Sequence, residues 1–72
     1  MKLGQRLASM RGYRLLKQDE LGDLVGVTKQ TISGWERGRR TPSADDLIKL
    51  CQVLNCSADY LLGLSNDMGE KR

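Results

Sequence analysis

Lys29, Gln30, Thr31 and Ser33 bring together the side chains of this sequence best suited to recognition by hydrogen bonding. They offer an ammonium donor, an amide that donates and accepts at once, and two hydroxyls. None of this is bond-breaking chemistry. These residues belong to a short helix whose apolar members, Ile32 and Trp35, are three apart and face the other way. Thr28 supplies a hydroxyl to cap the free amides at its start. Ahead of it a second short helix carries Leu21, Leu24 and Val25 as an apolar stripe. Gly26 suits a left-handed exit because it has no Cβ to clash, and Val27 follows as an apolar plug. Two short helices joined by a tight turn, the second leading with polar side chains, form the geometry that seats a helix in the DNA major groove.

The stretch from Gln18 to Trp35 carries a recognisable pattern. Counting from Gln18, it has glutamine first and apolar Leu21, Val25 and Val27 at the fourth, eighth and tenth places. Small Gly22 is fifth, Gly26 ninth, and apolar Ile32 and Trp35 fifteenth and eighteenth. With Trp35-Glu36-Arg37-Gly38, Thr41-Pro42-Ser43 and Ser57-Ala58-Asp59-Tyr60-Leu61-Leu62-Gly63, the chain resembles the phage repressor and Cro-type (XRE-like) helix-turn-helix family over residues 3 to 64. The resemblance implies an all-α fold class: a compact five-helix repressor-like domain whose helices 2 and 3 form the helix-turn-helix. The domain is expected over residues 1–64, with a polar, frayed tail over 65–72.

The resemblance also implies roles. With the start of helix 3 against base edges, Gln30 suits the adenine N6 and N7 pair. Lys29 suits guanine O6 or N7, or a phosphate; Thr31 offers a methyl to thymine and Ser33 a short hydroxyl contact. Gly34 lets the helix backbone approach bases or sugars. Gln18 and Thr28, at the amino ends of helices 2 and 3, are expected to hold phosphates. Arg37, Arg39 and Arg40 are expected to grip the flanking DNA backbone, with Arg14 and Lys17 on the other side. In relatives a glutamate at the position of Glu36 pairs with an arginine near the end of helix 1, which implies a partly buried Arg11–Glu36 ion pair here. Trp35 is expected in the core.

Composition sets limits on the alternatives. Seventy-two residues make one small domain. The net charge is only +3, but residues 1–42 hold nine Lys or Arg against four acids, while residues 43–72 hold three against five. A basic front half suits a face turned towards a polyanion. There is no histidine and no CxxC pair, so no metal site and no cofactor is expected. Cys51 falls on the apolar face with Leu47, Leu50 and Leu54 and reads as a small buried hydrophobe. No long apolar run suggests an export signal or a membrane span, and the expected location is the cytoplasm. Enzymatic activity is not expected: neither cysteine has a basic neighbour, and Asp45 and Asp46 are adjacent at a helix start, where capping accounts for them.

Five helices with short connections and no strands are predicted. Helix 1 runs from about Lys2 to Arg11, with Gly12 and Tyr13 breaking it; helix 2 covers Gln18 to Val25 and helix 3 Lys29 to Arg37. Ser43 caps helix 4, which stops at Asn55; Ser57 caps helix 5, which carries Leu61 and Leu62 and ends at Gly63. Two features depart from the family pattern. Lys17 replaces the usual small cap before helix 2, and Leu15 the glycine that often precedes it. Gly34 leaves the sixth place of helix 3 without a side chain.

The expected partner is a double-stranded operator, bound by a homodimer because one helix reads only a few base pairs. Tyr60, Leu61 and Leu64 are candidate dimer residues or, equally, part of the core. No small-molecule ligand is evident. The alternative reading is a helical protein-interaction module, antitoxin-like or an anti-repressor partner, that kept the scaffold and lost DNA. Lys17 and Gly34 favour it; the basic front half and the Lys29-Gln30 pair favour DNA.

Overall fold

Leu3, Leu7 and Met10 recur at three- and four-residue spacing. In the computed structural model, which describes residues 2–71, all three lie on the inner face of α1 (Lys2–Tyr13). Helices α2 (Gln18–Val25), α3 (Lys29–Glu36), α4 (Ala44–Leu54) and α5 (Ala58–Leu61) follow, and no strand occurs among the described residues. Leu21 and Val25 from α2, Ile32 and Trp35 from α3, Leu50 and Leu54 from α4, and Cys56 and Leu61 complete one core. Leu24 stays 59% exposed, so the inward stripe of α2 is narrower than the sequence suggested. Leu61 is fully buried and belongs to the monomer's core; Leu62 and Leu64 are left outside it.

The tight turn between α2 and α3 is built as the glycines predict. Gly26 takes φ +86°, and its amide and that of Val27 both donate to the Gly22 carbonyl, at 2.8 and 2.9 Å. A Cβ on Gly22 would sit 2.7 Å from the Val27 carbonyl oxygen, so the fifth place must be small for α2 to fold back on α3. Gly4 does the same work elsewhere, and its role is not apparent from the sequence. A side chain there would meet the Glu36 carbonyl oxygen and lie 2.8 Å from that of Trp35. Backbone contact at Gly4 thus lets α1 cross close against the end of α3.

Helix α1 runs two residues further than predicted, through Gly12 and Tyr13, because the chain leaves it one turn later. The amide of Leu16 returns to the Arg11 carbonyl at 3.0 Å, and Leu15 between them adopts φ +60°. Leu15 therefore occupies the left-handed position normally given to glycine, with its side chain 88% exposed. Lys17 has the extended backbone of an N-cap but no side-chain acceptor. Glu20 compensates by accepting the Lys17 amide at 2.8 Å. Helix α3 ends at Glu36, one residue short of the prediction, with Arg37 as its C-cap. Ser43 and Ser57 cap α4 and α5 as expected, accepting the amides of Asp46 and Tyr60, each at 3.1 Å.

Described residues of the polar tail are hydrogen-bonded to the helical domain. The Ser57 amide donates to the Met68 carbonyl at 2.7 Å, and Asn55 exchanges two hydrogen bonds with the backbone of Lys71 at 2.9 and 3.1 Å. Arg6 reaches the Ser65 carbonyl at 3.2 Å and Asn66 Oδ1 at 2.8 Å, and its guanidinium stacks 4.2 Å from the Tyr60 ring. Polar groups in the tail supply long-range partners that no periodicity announces.

Two substitutions test these backbone constraints. Leu15→Gly removes the left-handed strain and is expected to raise stability by about 1 kcal/mol, a gain of roughly 4–8 °C in thermal midpoint. Gly4→Ala forces α1 off α3 and is expected to cost about 1–3 kcal/mol. Thermal unfolding followed by circular dichroism reads both; an unchanged midpoint in Gly4→Ala would contradict the close crossing.

Candidate nucleic-acid interface

The site begins at the cap of α3. Thr28 is extended at φ −81°, ψ 160°, and its Oγ1 accepts the Thr31 amide at 3.2 Å. The two threonine hydroxyls lie 3.0 Å apart, so the Thr31 hydroxyl is already engaged at the cap. Lys29 and Gln30 are exposed and make no side-chain ion pair among the described residues. Ser33 and Gly34 are half-buried on the same helical stripe, three and four residues on from Gln30, and Arg37 follows at seven. The leading polar tip is thus presented outward.

How α3 ends shapes the rest of the face. Gly38 takes φ +76°, its amide donates to the Trp35 carbonyl at 3.2 Å, and the Arg39 amide donates to the Gly34 carbonyl at 2.9 Å. This paired closure turns the chain sharply back on the helix. The Arg40 amide also reaches the Gly34 carbonyl, at 3.2 Å. Its aliphatic stem then crosses Gly34, where an added Cβ would stand 3.3 Å from Arg40 Cδ. Gly34 was expected to give DNA a close approach to the helix backbone; the space is instead filled by Arg40. Gln30, Ser33, Gly34, Arg37, Arg39 and Arg40 line a cleft of ≈ 370 Å³ that contains three arginines and no acid.

The orientation of α3 is fixed by Glu36. Its carboxylate takes Arg11 in a forked pair, Nε at 2.7 Å and a terminal nitrogen at 3.1 Å, with the carboxylate side chain only 9% exposed. The expected ion pair is therefore present. Arg11 also donates to the Leu16 carbonyl at 2.9 Å, and Gln18 Nε2 donates to Glu36 at 3.0 Å. The hydrogen bonds that Arg11 donates to Glu36 raise its pKa above the ordinary value, so the guanidinium is charged at all accessible pH. Gln18, expected to meet a phosphate, directs one amide proton inward to this brace. Sequence spacing gave no sign of that bond.

Arg14 does not lie free for a phosphate. It donates to the Leu54 and Asn55 carbonyls at 2.8 and 3.2 Å and pairs with Glu70 at 2.9 Å, closing the end of α4. Lys17, Arg37, Arg39 and Arg40 remain exposed. The cysteines take no part. Burial pushes the Cys56 thiol up to about 11, with Cys51 beside it adding to the rise, and burial also raises Cys51. Both are protonated at neutral pH and are poor nucleophiles. No group of residues that could hold a metal ion occurs among the described residues.

A capped helix with an exposed polar tip, packed through a glycine turn on its predecessor, defines a helix-turn-helix domain. The Helix-turn-helix family pattern matches residues 7–61. Repressor protein C2 of Salmonella phage P22 is 40% identical over 60 residues, covering 83% of this chain and 28% of that protein. The transcriptional regulator ImmR of Bacillus subtilis is 38% identical over 63 residues, covering 88% of this chain and 50% of ImmR. The crystal structure of the P22 c2 repressor in complex with a synthetic operator superposes with a TM-score of 0.81 at 38% identity, covering 85% of this chain and 92% of that one. This chain belongs to the helix-turn-helix family of phage repressor (XRE) type, a family of transcriptional regulators and not of enzymes. It spans between 28% and 60% of the length of the first curated relatives it matches.

Removing Arg11 leaves a carboxylate nearly buried without its ion partner. Arg11→Ala is expected to cost about 2 kcal/mol in urea denaturation. The Arg11→Ala/Glu36→Ala pair should cost less than the sum of the single changes, with a coupling of about 0.5–3 kcal/mol. Additive costs would mean that the pair does not brace α3.

Proposed function

We propose that this chain binds double-stranded operator DNA sequence-specifically, with α3 in the major groove, and represses transcription by occupying the site. The observation that carries the reading is the exposed, acid-free polar stripe of α3 continuing into an arginine-lined cleft. Gln30 pairs with adenine, Lys29 with guanine or a phosphate, and Thr31 and Ser33 make shorter contacts to base edges. The amino ends of α2 and α3, at Gln18 and Thr28, hold phosphates through free backbone amides. Arg37 and Arg39 grip the flanking strand.

The domain measures 28 × 24 × 21 Å, less than the roughly 34 Å between successive turns of one groove face. One helix reads only a few base pairs, so our reading puts one copy on one half-site and a homodimer on a two-fold operator. The protein works in the cytoplasm, beside the DNA it controls; no helix among the described residues is long and apolar enough to cross a membrane. The two features that favoured a protein-interaction module have local explanations. Glu20 makes up for Lys17 at the start of α2, and Arg40 covers Gly34.

Binding to duplex DNA across a salt series tests the proposal. Affinity should fall with salt by a logarithmic slope of about −0.9 per phosphate neutralised, and Arg37→Ala or Arg39→Ala should each flatten it by about one. Gln30→Ala should relax the preference for adenine at one position by about 1–3 kcal/mol. A flat salt response with no selected sequence would hand the function to the interaction module.

A further inference from the structure

We infer that Arg40, although it lies in the loop after α3, is a base-reading residue that takes over the sixth place of the recognition helix. The inference rests on the DNA-binding reading and names one further specificity determinant within it. Gly34 is that sixth residue of α3, and it shares the outward stripe with Gln30 and Ser33. Without a side chain, the stripe has a gap in its middle. Arg40 fills that gap from outside the helix, its Cδ and Cγ lying 3.3 and 3.4 Å from where a Cβ on Gly34 would stand.

Three physical points bear on Arg40, and the second, the stem laid over Gly34, is the one that sets it apart from Arg37 and Arg39. Its backbone is tied to the helix through the Gly34 carbonyl, so the loop carries it at a fixed register. Its stem is laid along the glycine, which removes rotamer freedom before any ligand arrives and lowers the entropic cost of contact. Its guanidinium is exposed and makes no ion pair among the described residues. A guanidinium carried on a stem over Gly34, in the cleft that Gln30 and Ser33 also line, matches the paired O6 and N7 acceptors of guanine, which a forked donor takes two at a time. A phosphate would be met equally well by any exposed arginine in the loop and would need no glycine beneath the stem. The Gly34–Arg40 pairing therefore acts as one recognition element split between helix and loop.

Selection of bound duplexes from a random pool tests this, using the intact chain and the variants Arg40→Ala, Arg40→Lys and Gly34→Leu. Circular dichroism melting should confirm that Arg40→Ala, at an exposed position, folds as the parent does. The expected result is a single base-pair column in which the parent prefers guanine by about 5- to 100-fold and Arg40→Ala does not, the other columns unchanged. Arg40→Lys should keep part of the preference, since it donates without the fork. Gly34→Leu occupies the stem's place and should alter the same column. If Arg40→Ala instead leaves every column intact, weakens all duplexes alike and flattens the salt slope by about one, Arg40 is a phosphate contact and the inference is overturned. A parent chain that selects no sequence at all overturns the DNA reading itself, an outcome distinct from an intact motif lacking the Arg40 column.

Discussion

The carboxylate of Glu36 is the point where three helices are held in one orientation. It takes a forked pair from Arg11 at the end of α1 and an amide proton from Gln18 at the start of α2, while itself ending α3. Such a group is costly to bury unless each of its oxygens is satisfied, and here both are. That satisfaction is available in only one arrangement of the three helices. A rotation of α3 would break the fork and leave a charge in a nearly dry place. The recognition helix thereby inherits its angle from a polar contact rather than from apolar packing alone, which is less directional.

Close backbone contact performs the complementary task. At Gly4 and Gly22 the absence of a side chain brings α1 and α2 down onto α3 and the turn that precedes it. With the helices this near, Ile32 and Trp35 are fully enclosed, and the polar stripe of α3 can point only outward. Packing, brace and glycines therefore agree on one orientation, and agreement across levels is what makes a small core specify a single structure. The loop after α3 extends the same logic. Its closure on Gly34 and Trp35 brings Arg40 back over α3, so a gap in the helix is met by a residue six positions on.

Much of this was legible in the chain. The apolar spacing of Leu3, Leu7 and Met10, of Leu21 and Val25, and of Ile32 and Trp35 predicts three helices and their inner faces. Gly26, Thr28, Ser43, Asn55 and Ser57 mark where helices begin and end, and the structure uses each as the residue type suggests. The Arg11–Glu36 pair was reachable through the family pattern. Less legible were the ends set by competition: Gly12 and Tyr13 look like breakers, yet the chain stays helical until Leu15 accepts the left-handed turn. The places of Arg14, Leu24 and the tail are hidden from local pattern for a common reason. Arg14 is defined by partners 40 or more residues away, the tail by partners outside its own segment and Leu24 by the absence of one, and no local pattern records that.

The amino-acid sequence on its own determined the helical class, the turn between α2 and α3 and the chemical types offered by the tip of α3. These follow from local preferences: the spacing of apolar residues, the hydroxyl caps and a glycine able to turn left-handed. Tertiary structure alone decided which cations stay free and which are tied into the fold. Arg11 and Arg14 end in internal contacts, while Arg37, Arg39 and Arg40 stay exposed at the face of α3. An arginine is chemically the same everywhere in a chain. Only the distances set by folding make one a brace and leave another exposed.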